Sequence, residues 1–208
     1  MNDIWKDYKR VLREVFPRMK NVCDWADWEN KGLKLSAKIY NDTYILKSRT
    51  LEIWNEKTYI YNNIIYPKTG CNLPCFGMDL MMFFPKKVVL TFDFQHPVEN
   101  YRFSVPELPK CEGEIRFFQP GNHFSDNLYV AKCTSEDVTY HVPAFKEYLR
   151  TYWKMLNDAK PTGTDTSEYK DFDKYMTKLD PVSGYLESNF GKEKTEKLVK
   201  EFLFPYGC

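Results

Sequence analysis

The chain has almost no net charge, and none of its apolar runs is long enough to cross a membrane. Thirty Lys and Arg residues stand against 29 Asp and Glu residues, which leaves a net charge of +1. A nucleic-acid-binding protein would need a basic surface that this balance does not supply. The first residues, MNDIWKDYKRVL, are charged and amphipathic, unlike a secretory signal peptide. We therefore expect a soluble, cytoplasmic monomer that binds neither nucleic acid nor membrane.

Sequence motifs for metal or nucleotide binding are missing as well. Among six cysteines only Cys71 and Cys75 lie close together, and their spacing is neither CxxC nor that of a zinc ribbon. His96 and His123 lack a partner at metal-ligand spacing, so a hydrogen-bonded structural role is the better interpretation of each. The chain contains no glycine-rich phosphate loop and no GxSxG. We expect free thiols in a reducing compartment, and any catalysis to use acid chemistry without a metal or a permanently bound cofactor.

Apolar and aromatic residues are abundant instead. Hydrophobic residues make up 43% of the 208 positions and aromatic residues 17%, which predicts a single domain over 1–208 with a sizeable core. The aromatic rings either fill that core or line a pocket for a flat ligand, and the core is the better expectation. Lysines gather at 86–87 and over 192–200, either as a solvated face or as a docking patch for an acidic protein.

The spacing of apolar residues predicts a helix, then strands, then further helices. The first helix is expected from about Asp3 to Phe16. Strands are predicted over 32–40, 43–54, 58–66, 77–84 and 87–95, with weaker signals over 102–105, 114–118 and 126–133. Helices are predicted over 141–156, 167–179 and 192–204. This order indicates an α+β fold, a three-layer α/β/α sandwich whose central antiparallel sheet carries helices on both faces.

Asp79 interrupts the apolar stretch GMDLMMFF. Strand alternation leaves both faces of this stretch apolar, so the strand should be central and covered on both sides. A carboxyl group enclosed there has a raised pKa and holds a proton near neutral pH, as a general acid must. A buried Asp satisfied by a hydrogen bond or by an arginine is the structural alternative.

Two further acids are candidates. Asp180 precedes Pro181 in KLDPVSGYL, so the preceding helix should end there. Asp180 would then serve either as the N-cap of a short following helix, with Pro181 at its first position, or as a functional acid. Asp93 shares a strand phase with Thr91 and Gln95, which indicates a more polar face.

Four segments, taken in order, resemble the ferredoxin-dependent bilin reductases. They are YNNIIYPKTGCNLPCFGMDLMMFF, VVLTFDFQHP, GNHFS and DFDKYMTKLDPVSGYL. The resemblance covers nearly the whole chain, and its LPCFGMDLM and TKLDPVSGY blocks are specific. It implies an α/β/α sandwich that holds biliverdin IXα between the sheet and the C-terminal helices. It also implies single electrons from reduced [2Fe-2S] ferredoxin and bilin radical intermediates, without flavin or metal.

The resemblance also assigns roles to individual residues. Asp79 and Asp180 are implied to be proton donors that face the bilin from opposite sides. Asn62 stands where phycocyanobilin-forming members carry a histidine, which favours the phycoerythrobilin-forming branch. The four segments as a whole are most similar to the cyanophage members of that branch. Arg116 and Lys178 are predicted to contact the propionates, because a cationic group offsets a carboxylate's charge. The lysine clusters become a predicted docking surface for acidic ferredoxin.

These expectations combine into one leading hypothesis, the four-electron reduction of biliverdin IXα to phycoerythrobilin through 15,16-dihydrobiliverdin. A two-electron reductase that stops at 15,16-dihydrobiliverdin is the alternative within the family. A bilin carrier without reductase activity is a third possibility, although two enclosed acids speak against it, and a structural domain that binds no bilin is a fourth. If the gene belongs to a phage, the compartment is the cytosol of a cyanobacterial host.

Overall fold

The computed structural model describes residues 3–68, 70–83, 87–97, 103–111, 124–160, 167–179 and 182–205, with backbone alone for 167–171 and 179. The described strands form one seven-stranded antiparallel sheet in which spatial order follows chain order. The strands are β1 (Lys20–Asn30), β2 (Leu33–Asp42), β3 (Ile45–Trp54), β4 (Thr58–Pro67), β5 (Cys75–Phe83), β6 (Lys87–Gln95) and β7 (Tyr129–Cys133). The helices are α1 (Lys6–Val15), α2 (Val142–Asp158), α3 (Ser167–Leu179), α4 (Ser183–Phe190) and α5 (Lys192–Leu198). A 3₁₀ turn, Val138–His141, precedes α2, and a π-helical turn, Val199–Leu203, follows α5.

Strand alternation divides the sheet into two faces. The cross-strand row Tyr61–Leu80–Leu90 points to one face, which packs against α1 and α2 and is called here the α1–α2 face. Leu35 and Ile53 lie on the opposite face and pack against α4, α5 and the final π-helical turn. This face is called here the α4–α5 face. The predicted α+β fold with helices on both faces of an antiparallel sheet is therefore confirmed.

Aromatic rings fill the α1–α2 face. Nine of the largest fully buried side chains of the described residues belong to its core: Trp5, Tyr8, Phe16, Phe76, Phe92, Phe94, Phe145, Tyr148 and Tyr152. The buried hydroxyl groups are satisfied: Tyr152 Oη, for example, donates toward the carbonyl oxygens of Ile65 and Pro74 at 3.1 and 3.0 Å. The prediction that the aromatic residues build a core is confirmed.

Element boundaries depart from the predictions in several places. The sequence pattern missed β1, because this edge strand is mostly exposed and has no alternating apolar face. The strand predicted over 102–105 is wrong where it is described, since 103–105 are not in a strand, and 114–118 lie outside the described residues. Helix α1 begins at Lys6 because Asp3 forms a turn ahead of it, with Oδ1 accepting the Trp5 N–H at 3.0 Å.

The short helix predicted after the Asp180–Pro181 pair is present, but it starts later. Its first residue is Ser183, and Val182 is the N-cap residue, with its carbonyl accepting the Leu186 N–H at 2.9 Å. The N-cap position of α4 is thus held by Val182, and Asp180 itself lies outside the described residues. None of the helices in the described part of the chain is long and apolar enough to span a membrane.

Candidate active site

A cavity of about 340 Å³ lies between the α4–α5 face of the sheet and the C-terminal segments. Strands β3 to β6 form one wall, and Met176, Val182, Leu203 and Phe204 form the opposite one. Its lining is mainly apolar, with polar side chains from Arg49, Asn62, Asn63, Asp79, Thr91, Asp93 and Gln95. A mainly apolar cavity with a few convergent polar groups is the usual form of a small-molecule site.

Asp79 lies at the middle of the sheet wall. It pairs with Asn62 of β4 on one side and with Thr91 of β6 on the other. Its side chain is half-buried, since part of its surface faces the cavity. Burial raises the pKa of the Asp79 carboxyl, and this effect exceeds the lowering by the Asn62 hydrogen bond and the Arg49 charge. The predicted direction of the pKa shift is confirmed.

A hydrogen-bonded chain of side chains fixes the orientation of this carboxyl. Arg49 Nη1 donates to Asn62 Oδ1, and Asn62 Nδ2 in turn donates to Asp79 Oδ1. The guanidinium has no acceptor function, so Asn62 must direct its oxygen toward Arg49 and its NH₂ toward Asp79. Asp79 Oδ1 is thereby an acceptor, which leaves Oδ2 as the oxygen that carries the proton when the carboxyl is protonated. Asp79 is thus a buried acid satisfied by a hydrogen bond, and this hydrogen bond is compatible with a role as a proton donor.

Arg49 is a site residue that the sequence reading missed. It is only 4% exposed, and its guanidinium carbon lies 6.0 and 5.9 Å from the ring centroids of Phe202 and Phe204. No ion pair within the described residues involves it. A signal was available, because Arg49 shares a strand phase with the buried Leu51 and Ile53. A cation in the apolar phase of a strand indicates a buried charge with a function.

Asp93 is a second enclosed acid on the same wall. It faces Gly77 across the β5–β6 pair and is 1% exposed. Its carboxylate accepts the Ser125 N–H at 2.7 Å and the Ser125 hydroxyl. Burial raises the pKa of Asp93 to about 8, although the Ser125 contacts and the Phe94 N–H lower it. The predicted shared phase with Thr91 and Gln95 is confirmed, and the polar face it indicated is an enclosed cavity wall.

We expect Asp93→Asn to flatten the pH dependence of folding stability. The folded protein keeps a proton on Asp93 up to about pH 8, whereas the unfolded chain releases it near pH 4. Raising the pH between these values therefore favours the unfolded chain by up to about 1.4 kcal/mol per pH unit. Asn resembles the protonated acid and does not titrate. Urea unfolding of both proteins at pH 5, 6, 7 and 8 measures the difference, and parallel stability curves would contradict the assignment.

The other predicted site residues lie either outside the described part of the chain or outside the cavity lining. Asp180 and Arg116 lie outside the described residues, although Met176 and Val182, which precede and follow Asp180 in the chain, both line the cavity. Lys178 is exposed in the last turn of α3 and is not part of the cavity lining. The structure therefore brings together Asp79 and Asn62 from the predicted set, and adds Arg49 and its neighbours.

The histidines and lysines have placements that bear on the sequence predictions. His96 is buried, and His123 lies outside the described residues. Within the described ranges, no cluster of three or more His, Cys, Asp or Glu side chains could hold a metal ion. The α5 lysines are exposed, and Lys194 and Lys197 extend over the rings of Trp28 and Trp25 at 5.4 and 5.9 Å.

Comparisons with known proteins agree with this geometry. A sequence model described as ferredoxin-dependent bilin reductase matches residues 26–205. A 15,16-dihydrobiliverdin:ferredoxin oxidoreductase of Nostoc punctiforme is 32% identical over 169 residues, which are 72% of this chain and 69% of the relative. The enzyme of the same name from Gloeobacter violaceus is 31% identical over 72% and 69%. The fold is similar to phytochromobilin synthase from tomato in complex with biliverdin, with a TM-score of 0.71 and 14% identity over 95% of this chain and 82% of that one.

Proposed function

Because this chain belongs to the family of ferredoxin-dependent bilin reductases, we propose that it reduces biliverdin IXα to phycoerythrobilin through 15,16-dihydrobiliverdin. Each of the two steps adds two electrons and two protons to the bilin. Reduced [2Fe-2S] ferredoxin supplies the electrons one at a time, so four ferredoxins are oxidised per phycoerythrobilin formed. The protein holds no metal or flavin of its own in this proposal, and its part is to bind the bilin and deliver protons.

The observation that carries the proposal is the enclosed Asp79 carboxyl at the cavity wall. Its raised pKa favours the protonated form, and the Asn62 hydrogen bond to Oδ1 leaves Oδ2 as the oxygen that carries the proton. A bilin that has gained one electron is a stronger base than biliverdin, so proton transfer from Asp79 becomes favourable at that moment. Asp79 then takes a proton back from solvent between electron transfers. Asp180 is proposed as the second donor, from the opposite side.

Arg49 supports the same chemistry through its charge. When an electron arrives before a proton, the bilin becomes a radical anion inside a mainly apolar cavity. A buried guanidinium with no ion-pair partner among the described residues stabilises that anion, because little solvent screens the attraction. Arg116 and Lys178 remain the proposed contacts for the propionates.

We propose that ferredoxin docks on a basic surface that includes the exposed α5 lysines, with Lys192 and Lys200 at its two ends. Complementary charge accelerates the encounter with an acidic partner, so the reaction should slow as ionic strength rises. We propose that the protein is a monomer in the cytosol. If the gene is carried by a phage, this is the cytosol of a cyanobacterial host.

A two-electron reductase that stops at 15,16-dihydrobiliverdin is the second candidate. It is favoured by one specific observation, the names of the relatives from Nostoc punctiforme and Gloeobacter violaceus, both 15,16-dihydrobiliverdin:ferredoxin oxidoreductases. Against it stands only the Asn62-based resemblance to the phycoerythrobilin-forming branch.

An anaerobic assay with biliverdin IXα, reduced ferredoxin and the purified protein separates these functions when its products are resolved by chromatography. Phycoerythrobilin as the end product, with 15,16-dihydrobiliverdin appearing transiently, supports the proposal. Accumulation of 15,16-dihydrobiliverdin as the final product would support the two-electron alternative. Bound biliverdin that stays green would leave a bilin carrier, and no bilin binding would leave a structural domain.

We expect Asp180→Asn to bind biliverdin but to stall at a partly reduced bilin. Asn has nearly the same shape as Asp and cannot transfer a carboxylic proton, so steps that use this donor should slow by about a hundredfold or more. Chromatography of the reaction at fixed times identifies the bilin at which turnover stops. Full conversion to phycoerythrobilin at the wild-type rate would remove Asp180 from the mechanism.

A further inference from the structure

The backbone of Gly77 makes room for the side chain of Gln95. A Cβ atom built on Gly77 would lie 2.5 Å from Gln95 Oε1 and 3.0 Å from its Cδ, so any larger residue there would displace the carboxamide. Gly77 is not among the described residues that have a positive φ. The structure therefore requires glycine there because it has no side chain, and not because of its backbone freedom. Gln95 therefore leans diagonally across the sheet from β6 over β5.

The carboxamide of Gln95 faces the cavity, and no hydrogen bond to it is found among the described residues. The residue is 8% exposed and lines the cavity, as do Gly77 and Asp93. Asp93 is the diagonal neighbour of Asp79 on this sheet face, at about 7–8 Å, and Gln95 follows two positions further along β6 on the same wall. A ligand that fills the cavity excludes water from this carboxamide, and a ligand that pairs with it avoids the cost of leaving it unpaired.

We infer that the Gln95 carboxamide, held over Gly77, binds a lactam edge of the bilin and so sets how deeply the tetrapyrrole lies along the sheet wall; this rests on the proposed function. The terminal rings of biliverdin are lactams, in which an N–H donor and a C=O acceptor stand side by side. A carboxamide carries the complementary acceptor and donor on its Oε1 and Nε2 atoms. The two groups pair through two parallel hydrogen bonds that neither a carboxylate nor a hydroxyl reproduces.

The test compares Gln95→Met, Gln95→Ala and Gly77→Ala by absorption titration with biliverdin IXα and by single turnover with reduced ferredoxin. Each variant should raise the Kd for biliverdin about tenfold, since each removes or displaces the carboxamide. Gly77→Ala should keep its fold, because the atoms that must move are the far end of a flexible side chain. Gly184→Ala is the matched control, because a Cβ there meets nothing within 4 Å.

The decisive comparison is the double variant. In the Gln95→Ala background, Gly77→Ala should cause no further change in Kd, because no carboxamide is left to displace. A biliverdin analogue whose terminal lactams are O-alkylated should bind the wild type and Gln95→Met equally, since it has lost the N–H donor.

Several results would overturn the inference. One is an unchanged Kd for biliverdin and an unchanged product in Gln95→Met and Gln95→Ala. Another is an equal rise in Kd on Gly77→Ala in the presence and in the absence of Gln95. Either result would leave the reductase function in place. A wild-type protein that binds no biliverdin would refute the proposed function itself, and this inference with it.

Discussion

Asp79→Asn should slow the first protonation of the bilin by at least about a hundredfold while biliverdin still binds. Asn matches the shape of Asp and preserves the contact with Asn62 through its side-chain oxygen, so the cavity should keep its form. The amide cannot give up a proton to carbon, and the one-electron-reduced bilin therefore has no donor at this wall. The radical should accumulate after the first electron arrives.

Stopped-flow absorption with a single reduced ferredoxin equivalent measures this rate, and electron paramagnetic resonance identifies the radical. Asp24→Asn is the matched control, because it makes the same chemical change at an exposed position of the edge strand β1. Single-turnover traces of Asp79→Asn that overlay the wild type would rule out Asp79 as the donor. Loss of biliverdin binding would contradict the expected result and show that the Asp79 carboxyl is required for binding.

Arg49→Met should slow the same step by about thirtyfold to several hundredfold and move its pH profile upward. A unit charge a few ångströms from the radical anion contributes about 2–4 kcal/mol at an effective dielectric constant near 20. The Arg49 charge also lowers the pKa of Asp79, so removing it should raise that pKa further. Asp79 would then stay protonated to higher pH but release its proton less readily. Replacing a buried cation by an apolar side chain of similar length is compatible with folding.

Arg49→Lys is the informative companion, because it keeps the charge but not the guanidinium geometry. We expect it to restore most of the pH profile while the rate stays below wild type, since the single ammonium directs Asn62 less firmly. The rate of the first protonation between pH 6 and 9 measures both effects. An Arg49→Met profile that coincides with the wild type would show that Arg49 acts only in folding.

The sequence by itself determined most of the secondary structure and the enclosure of Asp79. Both are local properties: alternation with a period of two marked β2, β-branched and aromatic residues marked β3 and β4, and the two apolar faces of GMDLMMFF required a covered strand. Strand β1 was not predicted, because this exposed edge strand has no alternating apolar face by which a sequence pattern could identify it. The polar phase of Asp93 was also visible, but not that this phase faces a closed cavity.

Only the tertiary structure decided which side chains surround Asp79. The hydrogen bonds from Arg49 to Asn62 and from Asn62 to Asp79 form because of the registers of β3, β4 and β5. These registers bring Arg49 and Asp79, which are 30 positions apart in sequence, close together on one sheet face. The space over Gly77 has a use only because β6 presents Gln95 to it. Strand register and the packing of the C-terminal helices depend on contacts between distant segments, and no local pattern of residues specifies them.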